Sequence, residues 1–146
     1  MESIRKRPKG DFIAEANMEQ LYALTKHWNS DLYFFKDDIN FLHKLLDSYF
    51  IWIDKDENYR IAAKMKNALL KLRTHGEDLL DRTHKHRQQI GKMILEKVDD
   101  SQVFRQEHED LEDEIASFVK AFRLNRLELF KITEYIKDTD KLPEIS

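Results

Sequence analysis

The sequence contains no cysteine, three glycines and two prolines among its 146 residues. The absence of cysteine excludes a disulfide framework, a thiolate nucleophile and a cysteine-ligated zinc or iron–sulfur site. Because glycine and proline mark most turns, a chain with so few of them is expected to form a small number of long elements. Valine is also scarce, with three residues, and this scarcity favours helices over β-strands.

Positive charge is not in excess: the formal net charge is −3 at pH 7, so the chain has no global attraction to nucleic acid or to acidic membranes. No apolar run approaches the ~18 residues that a membrane span requires. The first 16 residues carry charges but lack the apolar core of a signal peptide. We therefore expect a cytoplasmic protein with no nucleic-acid partner and no membrane partner.

Three long amphipathic segments make up most of the chain. The spacing of their apolar residues predicts helices over residues 18–53, 59–98 and 102–137, joined by short polar loops. Asn17 and Gln20 have the spacing of a capping box at the start of the first helix, in which each residue satisfies a backbone N–H of the other. Short loops require successive helices to run antiparallel.

Apolar residues recur in all three segments at steps of three and four, the heptad pattern of helices that pack side by side. The sequence therefore predicts an all-α fold, an elongated antiparallel three-helix bundle with coiled-coil-like heptad packing. Residues 17–138 are predicted to be its single domain. A basic N-terminal tail, residues 1–16, and a C-terminal tail, residues 139–146, are expected on either side.

The short second loop also predicts which residues of the last two helices face each other. Residues 82–97 are basic and residues 107–114 are acidic, so the two stretches are expected to pair, with Arg87 near the acidic stretch and Lys92 opposite His108. Surface ion pairs of this kind favour one register. Because the basic stretch has a partner within the chain and lacks interleaved aromatic residues, we do not interpret it as a nucleic-acid interface.

A polar layer is predicted inside the bundle. Asn125 lies at a core position of the third helix, and the same facing rule places it near His75 of the second helix and Asp38 of the first. Such a layer fixes the register of a long bundle at some expense of stability. The alternative is that Asp38, His75 and Asn125 form a site for a metal ion or small ligand.

The sequence contains few residues whose spacing is typical of a catalytic or metal-binding site. His27, Asp81 and His84 could converge and would supply three metal ligands, but Trp28 takes the adjacent core position, so we interpret them as surface residues and predict neither a metal nor a cofactor. There is no His-Glu-x-x-His motif, and the three glycines are too isolated for a phosphate loop. We therefore expect no enzymatic activity.

The first helix carries a second apolar stripe about 90° from its heptad seam, formed by Phe34, Phe41, Leu45 and Trp52. Either one helix contacts both of the others and needs a wide apolar face, or the stripe is an interface. We predict a non-enzymatic interaction protein that forms a homodimer or binds a protein partner through apolar helix faces. The segment Phe34 to Leu42 resembles small bacterial helical proteins, and this likeness implies no activity.

Overall fold

The computed structural model describes residues 16–97 and 102–140, and over these residues the chain forms three α-helices and no strand. Helix α1 spans Met18–Phe50, α2 spans Asp56–Glu96 and α3 spans Gln102–Asp140. The helices pack against one another, which confirms the all-α three-helix bundle. Most of the two predicted tails lies outside the described residues.

Helix α1 begins where the sequence predicts and ends earlier. Asn17 Oδ1 accepts the backbone N–H of Gln20 at 2.8 Å, and Gln20 Oε1 accepts the backbone N–H of Asn17 at 2.9 Å, so the capping box is confirmed. The helix ends at Phe50, three residues before the predicted end. The apolar run had suggested a longer helix, but Ile51 is 80% exposed, whereas Ile53 packs against the core from the following loop.

Helix α2 begins three residues before the predicted start, because Asn58 belongs to the helix and not to the loop. Asn58 is buried, and its side-chain amide donates to Thr139 Oγ1 at 2.8 Å and to a carboxylate oxygen of Asp140. Asp140 also accepts the backbone N–H of Lys55 at 3.1 Å. These bonds explain why α3 extends to Asp140, three residues beyond the predicted end. We call this group the Asn58 clamp.

A glycine inside α2 allows close packing against α3. Gly76 is buried, and a Cβ atom at this position would lie 3.0 Å from Cζ of Phe118. A larger residue would therefore require the Phe118 ring to move. The helix is continuous through this position, as the uninterrupted pattern predicted.

The core consists of a large apolar cluster and a smaller one near the start of α1. The large cluster draws on all three helices. The smaller one consists of Ala16, Leu21, Ile90 and Phe104. Helix α1 packs most extensively on α2, while α1 and α3 make the fewest close backbone approaches. The bundle is therefore more open between α1 and α3 than on its other sides.

The register of α2 against α3 differs from the prediction. His86, and not Lys92, lies opposite His108, with 2.8 Å between their ring nitrogens. Arg82 donates to both carboxylate oxygens of Glu114 at 2.8 and 2.7 Å. In each pairing, the α2 residue that faces α3 lies earlier in the chain than the one we predicted. Helix α2 also ends earlier than predicted, at Glu96 and not at residue 98. The displacement is one to two helical turns.

Candidate functional site

Three of the four residues of the predicted apolar stripe remain exposed. Phe34, Phe41 and Trp52 are 51%, 57% and 51% exposed. Leu45 differs, because it is partly buried against the core. The structure thus divides the stripe: Leu45 serves packing within the chain, and the three aromatic residues face solvent.

Helix α3 has exposed apolar residues of its own, Leu127 and Phe130. A groove between α1 and α3 is lined by Phe34 and Phe35 on one side and by Phe122 on the other, and the rings of Phe35 and Phe122 contact each other at 4.9 Å between centroids. We define the α1–α3 face as the exposed apolar residues beside this groove, namely Phe34 and Phe41 on α1 and Phe130 on α3.

The charged residues that line the groove differ in sign between its two sides. They are Asp38 on α1 and Arg123 and Arg126 on α3. Asp38 forms an ion pair with Arg126 at 3.3 Å across the groove. The Arg126 guanidinium also lies over the ring of the neighbouring Phe130, 5.0 Å from its centroid.

A second feature lies inside the bundle, where polar groups of all three helices are buried. His86 and His108 are 8% and 0% exposed, and Nε2 of His86 is hydrogen-bonded to Nδ1 of His108 at 2.8 Å. His86 stacks on Phe104 with an interplanar angle of 11°. On its other side His108 contacts Trp28 of α1, with 4.7 Å between ring centroids.

Further buried polar groups lie next to the histidine pair along the helices. Within the described part of the chain, Trp28 Nε1, Asn29 Oδ1 and Thr83 Oγ1 are buried and have no hydrogen-bond partner. A buried polar atom without a partner destabilises the folded state by about 1–3 kcal/mol. We define Trp28, Asn29, Thr83, His86 and His108 as the buried polar layer.

Burial also changes the acid–base chemistry of this layer. Removal from water disfavours the charged imidazolium and lowers the pKa of His86 to about 4 from its ordinary value of 6.5. At pH 7 His86 is therefore neutral. A hydrogen bond between two ring nitrogens then requires one ring to donate and the other to accept.

The polar layer predicted from the sequence has different partners in the structure. Asp38 binds Arg126, and His75 lies 3.5 Å from Glu114 and contacts the ring of Phe118. Asn125 is half-buried, and it donates to the carbonyl of Ala121, one turn earlier in α3. The register difference between α2 and α3 explains this outcome, because His75 lies at the level of Glu114 and Phe118.

The predicted metal candidates are also engaged elsewhere. His27 pairs with Asp31 at 3.5 Å, and Asp81 pairs with Lys85 at 2.9 Å. His84 lies at the surface of α2, beside a shallow groove. Among residues 16–97 and 102–140, no three or more histidine, cysteine or acidic side chains are placed to hold a metal ion. The chain also shows, over those same residues, no helix with an apolar stretch that could cross a bilayer.

Sequence reasoning did not identify the His86–His108 pair. The available signal was that both histidines occupy heptad positions, at which a long bundle places its buried residues. The predicted register placed Lys92 opposite His108, and this error concealed the pairing. Comparison of the chain with protein-family models, with curated proteins and with solved structures found no match.

Proposed function

We propose that this chain is a non-enzymatic, cytoplasmic interaction protein that pairs with a second copy of itself through the α1–α3 face. The observation that carries the proposal is the exposure of large apolar side chains on both sides of one groove, Phe34 and Phe41 on α1 and Phe130 on α3. Contiguous exposed apolar surface is a common mark of protein interfaces. Burial of such side chains is the main driving force of association.

The openness of the bundle supports this choice of surface. Helices α1 and α3 make few close backbone approaches, so the groove between them can receive a helix of a second molecule. Packing of an additional helix there would extend the heptad packing of the bundle, since knobs from the incoming helix would enter holes formed by four side chains. Phe35 and Phe122 already form the floor of this groove.

Charge favours a second copy as the occupant. The groove is lined by Asp38 on its α1 side and by Arg123 and Arg126 on its α3 side. In a two-fold contact the same patch is used by both subunits, so the α1 side of one copy can meet the α3 side of the other. Such an arrangement places opposite charges next to each other at both edges of the interface, which favours correct docking.

Sedimentation over a range of protein concentrations tests the proposal. The wild-type chain is expected to convert from monomer to dimer as concentration rises. The double variant Phe41→Glu with Phe130→Glu introduces one charge on each side of the face and is expected to remain a folded monomer. The two side chains are 57% and 37% exposed, so the variant should retain its helical circular dichroism signal.

The matched control is Tyr33→Glu. Tyr33 is an exposed aromatic residue of α1, but it lies beside α2, in a groove with Lys36 and Glu77. This variant is expected to dimerise like the wild type. A wild-type chain that remains monomeric at millimolar concentration would refute self-association, and equal loss of dimer in Tyr33→Glu would refute the assignment to this face.

The alternative function, binding of a metal ion or small ligand by Asp38, His75 and Asn125, has less support, because the bonds of these residues run to Arg126, Glu114 and Ala121. Metal analysis of the purified protein tests it directly. A stoichiometric ion that is lost in an Asp38→Asn variant would favour this alternative over the interaction protein.

A further inference from the structure

We propose that the His86–His108 pair is a pH-sensitive lock between α2 and α3, which opens this end of the bundle when the pair takes up a proton that the interior cannot hydrate. The pair joins two helices through one hydrogen bond of 2.8 Å in the interior. Along α3 the pair lies about six helical turns before Phe130 of the α1–α3 face, whereas on α1 Trp28, which contacts His108, precedes Phe34 by six residues. The lock and the proposed dimer are tested separately because their readouts differ: local amide exchange for the lock and sedimentation for the dimer.

The geometry of the pair allows a single proton between the two rings. Nε2 of His86 faces Nδ1 of His108, and a hydrogen bond there exists only if one nitrogen donates and the other accepts. One further proton can be held by an outer nitrogen, so that an imidazolium donates to a neutral ring and the two facing nitrogens still share one proton. Uptake of a proton therefore opposes the closed state because it places an unhydrated charge in the interior, where His86 and His108 are 8% and 0% exposed.

The surroundings of the pair offer little room for adjustment. His86 is stacked against Phe104 at 4.9 Å, and His108 contacts Trp28 at 4.7 Å. A positive charge on the pair cannot be hydrated unless the helices separate, because His86 is only 8% exposed. Opening restores water to the imidazole and with it the ordinary tendency to bind a proton.

Charged and titratable side chains on all three helices surround the layer. Those nearest along each helix are His27 and Asp31 on α1, Arg82, His84, Lys85 and Arg87 on α2, and Arg105, Glu109 and Glu112 on α3. Glu112 is itself buried, one turn from His108. Glu112 is present in the wild type and in both histidine variants described below, so a comparison among them isolates the contribution of His86.

The direction of the pH effect follows from the protonation of His86. Its pKa is lowered to about 4 in the closed bundle by burial, and the open form regains an ordinary value near 6.5. The open form therefore binds more protons between these two values, so the closed form loses stability as pH falls from 6.5 towards 4. From pH 7 to pH 5 the opening equilibrium should rise about 20-fold for one proton.

Amide hydrogen exchange measures this opening one segment at a time. After correction for the intrinsic effect of pH, exchange in residues 83–94 and 104–115 is expected to accelerate about 20-fold between pH 7 and pH 5. Residues 60–72 and 125–136, at the other end of α2 and α3, are expected to change less than threefold. A uniform change along the chain would contradict a local lock.

The variant His86→Gln removes one of the two imidazoles and keeps a group that can donate to or accept from His108. Because His108 remains, the pH dependence of exchange in residues 83–94 is expected to fall clearly below that of the wild type without vanishing. His84→Gln, a change of an exposed histidine two residues earlier, is the matched control and should retain the full wild-type dependence. An unchanged pH dependence in His86→Gln would overturn the proposal.

A measurement on the wild-type chain keeps the proposal testable if His86→Gln does not fold. Nitrogen chemical shifts of the imidazoles report protonation of each ring directly. The lock requires that His86 stay neutral in the closed form at pH 5. If His86 instead protonates near pH 6.5 while the surrounding amides stay protected, the proposal is wrong.

Discussion

The two ends of this bundle solve the same packing problem with different residues. At the end that contains the loop between α1 and α2, the interior is apolar, and the residues that are fully buried there include Leu42, Leu46, Leu69 and Leu129. The Asn58 clamp joins α2 to α3 at this end. At the opposite end the same seam contains the buried polar layer. An apolar layer contributes stability in proportion to the area that it buries. A polar layer contributes less stability and restricts the helices to one register.

This difference has a consequence for how the two ends respond to change. Apolar contacts do not depend on pH, and they are lost only when side chains are removed. The layer around His86 and His108 depends on which atoms carry protons, and it contains buried polar atoms that find no hydrogen-bond partner among the described residues, among them those of Trp28, Asn29 and Thr83. We expect the apolar end to be the more stable, and we expect the stability of the polar end to depend more strongly on pH.

The largest expected effect is at the apolar end. Leu69→Ala should lower the free energy of unfolding by about 3–4 kcal/mol, because Leu69 is fully buried in the large cluster and its loss leaves a cavity that neighbouring helices cannot fill. Leu21→Ala should lower it by about 2 kcal/mol, since Leu21 belongs to the small cluster near the start of α1, where the structure can relax. Denaturation by urea measures both. Equal losses would show that the two ends do not differ in this way.

Removal of the Asn58 clamp is expected to have the next largest effect. Asn58→Ala should destabilise the fold by about 1.5 kcal/mol, since it removes two side-chain bonds that join α2 to the end of α3. Asn67→Ala, at an exposed position of the same helix, is the control and should change stability by less than about 0.5 kcal/mol. Similar values for the two variants would mean that the clamp makes no net contribution.

A pair of threonines sharpens the comparison inside the polar end. Thr83 and Thr25 are both fully buried, but Thr25 Oγ1 donates to the carbonyl of Leu21 at 2.7 Å, whereas Thr83 Oγ1 has no partner among the described residues. Thr83→Val should therefore raise the free energy of unfolding by about 1 kcal/mol, because it removes an unsatisfied hydroxyl. Thr25→Val should be neutral or destabilising. Destabilisation by Thr83→Val would show that its hydroxyl binds a water molecule or another group.

The smallest expected effect concerns the ion pair between Arg82 and Glu114. The hydrogen bond from Arg82 lowers the pKa of Glu114, so the pair stabilises the fold above the ordinary pKa of a glutamate, and this contribution is lost as pH falls below it. Both side chains are about 40% exposed, and solvent screens the charges. Glu114→Gln should therefore reduce stability by about 0.5 kcal/mol at pH 7. A reduction that persists unchanged at pH 3 would contradict this explanation.

Much of the architecture could be predicted from local patterns. The heptad seam identified three helices, and the pair Asn17 and Gln20 identified the start of α1, because helix periodicity and capping depend on residues within one or two turns. The helix ends were less predictable. Asn58 lies in a polar stretch that predicts a loop. Its place in α2 depends on Thr139 and Asp140, which lie some eighty residues away in the chain.

The candidate sites were predicted only in part. Phe34, Phe41 and Trp52 were predicted to belong to an apolar stripe outside the heptad seam, and the structure places them at the surface. Phe130 of α3, which completes the α1–α3 face, lies off the heptad seam, and that position alone does not indicate that it lies beside α1. Which side of a helix faces a neighbour depends on the rotation of all three helices, and the sequence of one helix does not contain that information.

The sequence by itself determined that this protein is a bundle of three long helices, because the alternation of apolar and polar residues can bury one stripe of each helix in only that way. Only the tertiary structure decided the pairing of His86 with His108 and the opening between α1 and α3. A heptad pattern repeats every two turns, so several registers satisfy it almost equally well. The choice among them depends on contacts such as Phe118 on Gly76 and Arg82 with Glu114, which join residues far apart in the chain.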